Sequence, residues 1–178
     1  MNSKIQKAIV EDFNSGAEVS AYFYLKDAEA ELLYVKRKVA PNSTGTETHN
    51  SFISMGPEEK PGELDGKLIT VANQISNEFN LENTPLLVQL NIDGTDLKVI
   101  EFAPRVGGGL AFREILMLTG FDMISAVIDS YLNNDVDVNY VSPAKNEKVS
   151  IIHCYGDVGK FDKITGLEKL KDAGIVEE

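Results

Sequence analysis

Apolar and polar positions alternate along several stretches of the chain. From Glu18 to Leu25, Val19, Ala21, Phe23 and Leu25 fall on one face, with Glu18, Ser20, Tyr22 and Tyr24 on the other. That period of two predicts a half-buried strand. Ala8–Phe13 reads as a shorter strand before it, broken off by Asn14-Ser15-Gly16. Asp27-Ala28-Glu29 reads as a hairpin loop into a strand over Leu32–Val39, where Lys36 and Lys38 share a face with Tyr34. Leu86, Leu90 and their alternating neighbours Val88 and Ile92 predict another strand, and Asp93-Gly94 is turn chemistry leading into a strand over Leu97–Phe102. With Gly94-Thr95-Asp96 as the loop, Gln89 pairs with Glu101 and Asn91 with Val99. Gln89 and Glu101 then share the face opposite Leu86, Val88, Leu90, Ile100 and Phe102, with partner Cβ atoms about 4.5–5.5 Å apart.

Helical spacing takes over elsewhere. Leu64, Leu68, Val71, Ala72, Ile75 and Phe79 form one stripe, which predicts a helix over Glu63–Phe79 covering the apolar face of the hairpin. A second helix is expected over Leu110–Leu118, closed by Gly120, with Arg113 and Glu114 as a surface ion pair. Asp122 suits the cap of a third, over Met123–Leu132. Pro41–Gly62 shows no sustained period and reads as a long loop carrying His49. The last forty residues predict a small β unit, with strands over Lys148–Tyr155 and Lys160–Ile164 and a short helix capped by Thr165.

Composition narrows the function classes. A chain of 178 residues with 43% hydrophobic content is long enough for a substantial core. The net charge of −11, from 28 acidic and 17 basic residues, argues against nucleic acid or an anionic membrane as partner. Cys154 is the single cysteine, so no intramolecular disulfide can form. The first residues hold no apolar signal core, and the cytoplasm is the expected location. His153 and Cys154 are adjacent in a predicted strand and point to opposite faces, which argues against a nucleophile–base pair.

The chemistry concentrates in Val99-Ile100-Glu101-Phe102-Ala103-Pro104-Arg105-Val106-Gly107-Gly108-Gly109. An inward carboxylate, a proline-fixed arginine and three glycines suit a site for a metal ion and nucleotide phosphates. Gln89 and, twelve positions onward, Glu101 in an Ile-Glu-x-x-Pro-Arg setting resemble the metal-binding hairpin of the ATP-grasp ligases. The likeness is to the carbamoyl-phosphate-synthase-like and amino-acid-ligase-like branch. It implies Gln89 and Glu101 as Mg²⁺ ligands (Mn²⁺ as a substitute) and Arg105 on phosphate or acyl phosphate. It fails at Ala103, where that family commonly has an asparagine as a further ligand. Glu-x-Phe-x-x-Gly-x-Glu, from Glu11 to Glu18, is similar to the family's adenosine hinge. By that match Glu11 meets the adenine amino group, the backbone near Asp12 and Asn14 the ring edge, and Glu18 the ribose. A carboxylate suits the ribose because it accepts from both hydroxyls. The resemblance also places a lysine near the transferring phosphate, here Lys36 with the register open to Lys38, and a histidine near substrate, here His49.

The resemblance implies an α+β fold. Residues 1–135 are expected to be the C-terminal half of an ATP-grasp domain, an antiparallel sheet with helices packed on one face. Residues 136–178 are expected to form a small, truncated appended β/α unit. The implied function is the ATP- and Mg²⁺-binding portion of a carboxylate–amine or carboxylate–thiol ligase working through an acyl phosphate. Small-molecule carboxylates and amines, and the N-terminal half of the enzyme, are the expected partners, and a homodimer is compatible. The fragment alone is expected to be inactive. The rival is a non-catalytic module that binds nucleotide or a partner on a relict scaffold.

Overall fold

A computed structural model describes residues 10, 12, 16–27, 29–39, 53–56, 63–138, 149–151, 159–160, 162–163 and 165–174. The elements run β1 (Ala17–Lys26), β2 (Glu29–Val39), β3 (Ile53–Gly56), α1 (Glu63–Phe79), β4 (Thr84–Asp93), β5 (Asp96–Ala103), α2 (Ala111–Thr119), α3 (Met123–Tyr131), β6 (Val149–Ile151) and α4 (Leu167–Asp172). All six strands join one antiparallel sheet in the order β5-β4-β1-β2-β3-β6. The expected α+β class and antiparallel sheet are present. Strand β3 lies inside the stretch expected to be a loop. Strand β6, expected in the appended unit, pairs with β3 and extends the main sheet.

The helices cover both faces, where one face was expected. Val19, Ala21, Phe23 and Leu25 of β1 pack with Leu86, Val88 and Leu90 of β4 beneath Leu68 and Ala72 of α1. On the other face, Tyr22, Tyr24 and Leu87 pack against Ala111, Ile115 and Leu118 of α2 and Met123 and Ala126 of α3. The physical reason is the tyrosines. They count as polar in a period-two pattern, yet their rings are large apolar surfaces that need cover. A bulge in β2 adds to this second layer. Tyr22 pairs with Tyr34 and Phe23 with Leu32, which leaves Leu33 extra and puts Leu33 and Tyr34 in the same cluster.

Local chemistry fixes the element ends. Helix α1 closes on Asn80 at φ 50°, with Leu81 N–H donating to Ser76 O at 2.9 Å. Helix α2 ends on Gly120 at φ 74°, and Asp122 caps α3 by accepting from the N–H groups of Ile124 and Ser125, all as expected. Helix α4 starts on Gly166 with no side-chain cap, so Thr165 does not serve there.

Candidate functional site

The β4–β5 hairpin differs from expectation in one instructive detail. Asp93 pairs with Asp96, so the loop is Gly94-Thr95 with Gly94 at φ 58°. Asn91 therefore meets Lys98 and Leu90 meets Val99, while Gln89 still meets Glu101. A bulge at Ile100 reconciles the two registers. Ile100, expected in the core, is 51% exposed as a result.

That register lines up polar side chains across four strands. Glu101 of β5 pairs with Gln89 of β4, Gln89 with Ser20 of β1, and Ser20 with Lys36 of β2. Neighbouring strands lie about 4.8 Å apart, so the row spans roughly 14 Å. One step along the strands, Lys98, Asn91 and Glu18 make a second row on the same face. One step the other way, Ala103, Leu87, Tyr22 and Tyr34 make an apolar and phenolic row. The Ala103 position thus offers no oxygen donor. Among the expected site residues, the sheet brings Gln89, Glu101, Lys36 and Glu18 onto one face. Asp12 is exposed ahead of β1. Glu11, Asn14 and His49 lie outside the described residues, as do His153 and Cys154.

Arg105 follows directly. Its backbone N–H donates to Ala103 O at 2.9 Å, turning the chain at Pro104, and its exposed guanidinium donates from Nη1 to Val106 O at 2.9 Å. Gly107 then lies against the Tyr22 ring, so closely that a Cβ would overlap ring carbons. This glycine is needed for close approach rather than for a left-handed backbone, whereas Gly109 takes φ 66° where the chain turns into α2.

Lys36, the lysine expected near the transferring phosphate, is buried and paired with a carboxylate. Its Nζ lies 3.0 Å from Glu114 Oε2, with the two side chains 9% and 0% exposed. It also stands 5.5 Å from the centroid of the Tyr22 ring. Glu114 was expected on the surface beside Arg113, and the structure corrects this. Burial, then the nearby Glu114 charge, pushes the Tyr22 hydroxyl up to about 12 against a hydrogen bond with Ser20 and the charge of Arg105. Burial, then Glu114, raises Tyr34 as well. Both phenols stay protonated across the neutral range. A signal for Glu114 did exist, since position 114 falls on the buried stripe of Ala111, Ile115 and Leu118.

An Mg²⁺ ion fits the donor set at Glu101 and Gln89. Both supply hard oxygen, and Mg²⁺ is ordinarily held by one or two carboxylates with phosphate oxygens and water completing its shell. Glu101 is exposed on the edge strand and Gln89 half-buried, so a ligand can reach the pair from solvent. A shallow hollow lined by Lys67, Thr70, Val71 and Leu97 lies between α1 and the hairpin, apart from this row. The polar face, not that hollow, is the candidate site.

No family model matches the chain, and no curated protein does. Solved structures do. An L-amino acid ligase from Bacillus licheniformis superposes with a TM-score of 0.70 at 22% identity, over 90% of this chain and 41% of that one. A phosphoribosylglycinamide synthetase from Anaerococcus prevotii gives 0.55 at 15% identity, over 70% of this chain and 31% of that one. A biotin carboxylase–beta-gamma-ATP complex from Campylobacter jejuni gives 0.57 at 12% identity, over 72% of this chain and 28% of that one. The fold is therefore that of an ATP-grasp subdomain, and its structural neighbours are ligases of that type. The chain spans about two fifths of the length of the amino acid ligase and less of the others.

Proposed function

We propose that this chain is the ATP- and Mg²⁺-binding part of an ATP-grasp ligase that joins a carboxylate to an amine or thiol. The observation that carries this reading is the Glu101–Gln89–Ser20–Lys36 row, with Arg105 four residues beyond Glu101. Glu101 and Gln89 would hold the metal, which when bound neutralises phosphate charge. Glu18, in the adjacent row, would accept from the ribose hydroxyls, and Glu11, Asp12 and Asn14 would serve the adenine. Arg105 is an exposed cation beside this face and would hold the phosphoryl group or acyl phosphate, stabilising charge that grows during transfer. Small-molecule carboxylates and amines are the substrate class. Turnover belongs to a longer chain, and the 178 residues alone are expected to bind nucleotide without catalysis.

Isothermal titration with Mg-ADP tests the reading. The chain should bind, and Glu101→Ala should weaken binding by about tenfold or more with the melting temperature little changed. Equal affinity in the variant would overturn the metal assignment. Ala103 favours one further reading, a non-catalytic nucleotide-binding module, because its side chain offers no donor for a second metal. Binding by the chain, with no turnover once an upstream grasp half is supplied, would select it.

A further inference from the structure

Strand β2 and helix α2 are joined by the Lys36–Glu114 ion pair, which is almost wholly withdrawn from solvent. Burying both charges costs desolvation, and apolar residues of similar size are often as stable in such a place. Stability alone is thus a weak account of the pair, and its neighbours suggest a better one. Lys36 Nζ faces the Tyr22 ring. Gly107 rests on that same ring. Arg105 lies two residues before Gly107 in the same segment. At the far end of the segment, Leu110 begins α2 by accepting from Arg113 N–H at 2.9 Å, and α2 carries Glu114. The stretch from Arg105 to Leu110 is therefore supported in its middle by Tyr22 and at its end by α2. Both supports converge on Lys36 and Glu114.

Resting on the nucleotide reading above, we propose that Glu114 is a positioning residue for the terminal phosphate of the nucleotide. It holds Lys36, and the pair fixes the Arg105–Leu110 segment so that the guanidinium is presented on the side of the sheet that carries Glu101. Lys36 acts through this geometry and does not touch phosphate. An ion pair at 3.0 Å is directional, whereas an apolar contact is not. Replacing the pair by packing should therefore keep the fold and lose the placement.

The test uses Glu114→Gln and the double variant Lys36→Met/Glu114→Leu, the second retaining a filled core if the first fails to fold. Hydrogen exchange of the Val106–Leu110 amides and the affinities for Mg-AMP-PNP and Mg-ADP are measured. Loop amides should exchange about tenfold faster while those of β1 and β4 are unchanged. Affinity for Mg-AMP-PNP should fall about tenfold, and for Mg-ADP about threefold or less. Unchanged loop exchange, or equal losses for both nucleotides, would overturn the proposal. Lower affinity with an undisturbed loop would make Lys36 a direct ligand instead. If the unaltered chain binds neither nucleotide, the nucleotide reading fails, and the loop exchange alone decides whether the pair positions the segment.

Discussion

Gly107 and Tyr22 show how a single missing Cβ shapes the site. The segment after Arg105 can lie on the Tyr22 ring only because position 107 carries no side chain, and a Cβ there would overlap the ring. Tyr22 is itself 3% exposed among Leu87, Ala111 and Ile115 and has little room to retreat. Gly107→Ala should cost about 1–3 kcal/mol, the usual range for overpacking. Urea unfolding measures it, and the loss should shrink when Tyr22→Leu is added, since the two changes share one contact. Additive losses would place the strain elsewhere. What the sequence revealed at this scale follows from the same physics. Gln89 does lie opposite Glu101 as expected, but only because the bulge at Ile100 makes up for the one residue by which the turn differs from the expected one. Glu114 was not legible, because an Arg-Glu step in a helix ordinarily faces water. Only its place between Ala111 and Ile115 on the buried stripe betrays it.

Elements follow their local signals where those signals are short in range. Asp122 is the clearest case. Its carboxylate accepts from Ile124 N–H at 3.0 Å, Ser125 N–H at 3.1 Å and Ser125 Oγ at 2.7 Å. These bonds, led by those to Ser125, hold its carboxyl below the usual aspartate range. A depressed folded value means that the stabilisation is present above the unfolded value, about 3.9, and is lost as pH falls through the folded one. Asp122→Ala should therefore cost about 1 kcal/mol at neutral pH, with the gap between variant and parent closing below roughly pH 4 in urea titrations. A gap independent of pH would mean that the cap acts through geometry alone. The bulges at Leu33 and Ile100 were beyond sequence reading for the opposite reason. Nothing in either strand marks an inserted residue, and register there is decided by partners on both sides. Strand β3 was hidden similarly, because four residues among polar neighbours show no period until β2 and β6 flank them.

The molecule as a whole is a sheet covered on two sides, and that arrangement makes a prediction that a one-sided sheet would not. Phe23 and Tyr24 are consecutive in the central part of β1, and each is 0% exposed. Phe23 packs toward α1 and Tyr24 toward α2 and α3, where its ring meets Phe121 edge-on at 5.6 Å. Truncating a fully buried aromatic costs about 3–5 kcal/mol, a large share of the about 5–15 kcal/mol that holds a domain together. Phe23→Ala and Tyr24→Ala should therefore destabilise by similar amounts, while Ile128→Ala, at an exposed position on α3, should stay within about 0.5 kcal/mol. Urea midpoints for the three variants decide the matter. A sheet with one solvated face would show one heavy loss and one small one between residues 23 and 24, because neighbours in a strand point opposite ways. Comparable losses would confirm that the tyrosine face is core beside α2 and α3, as Phe23 is beside α1.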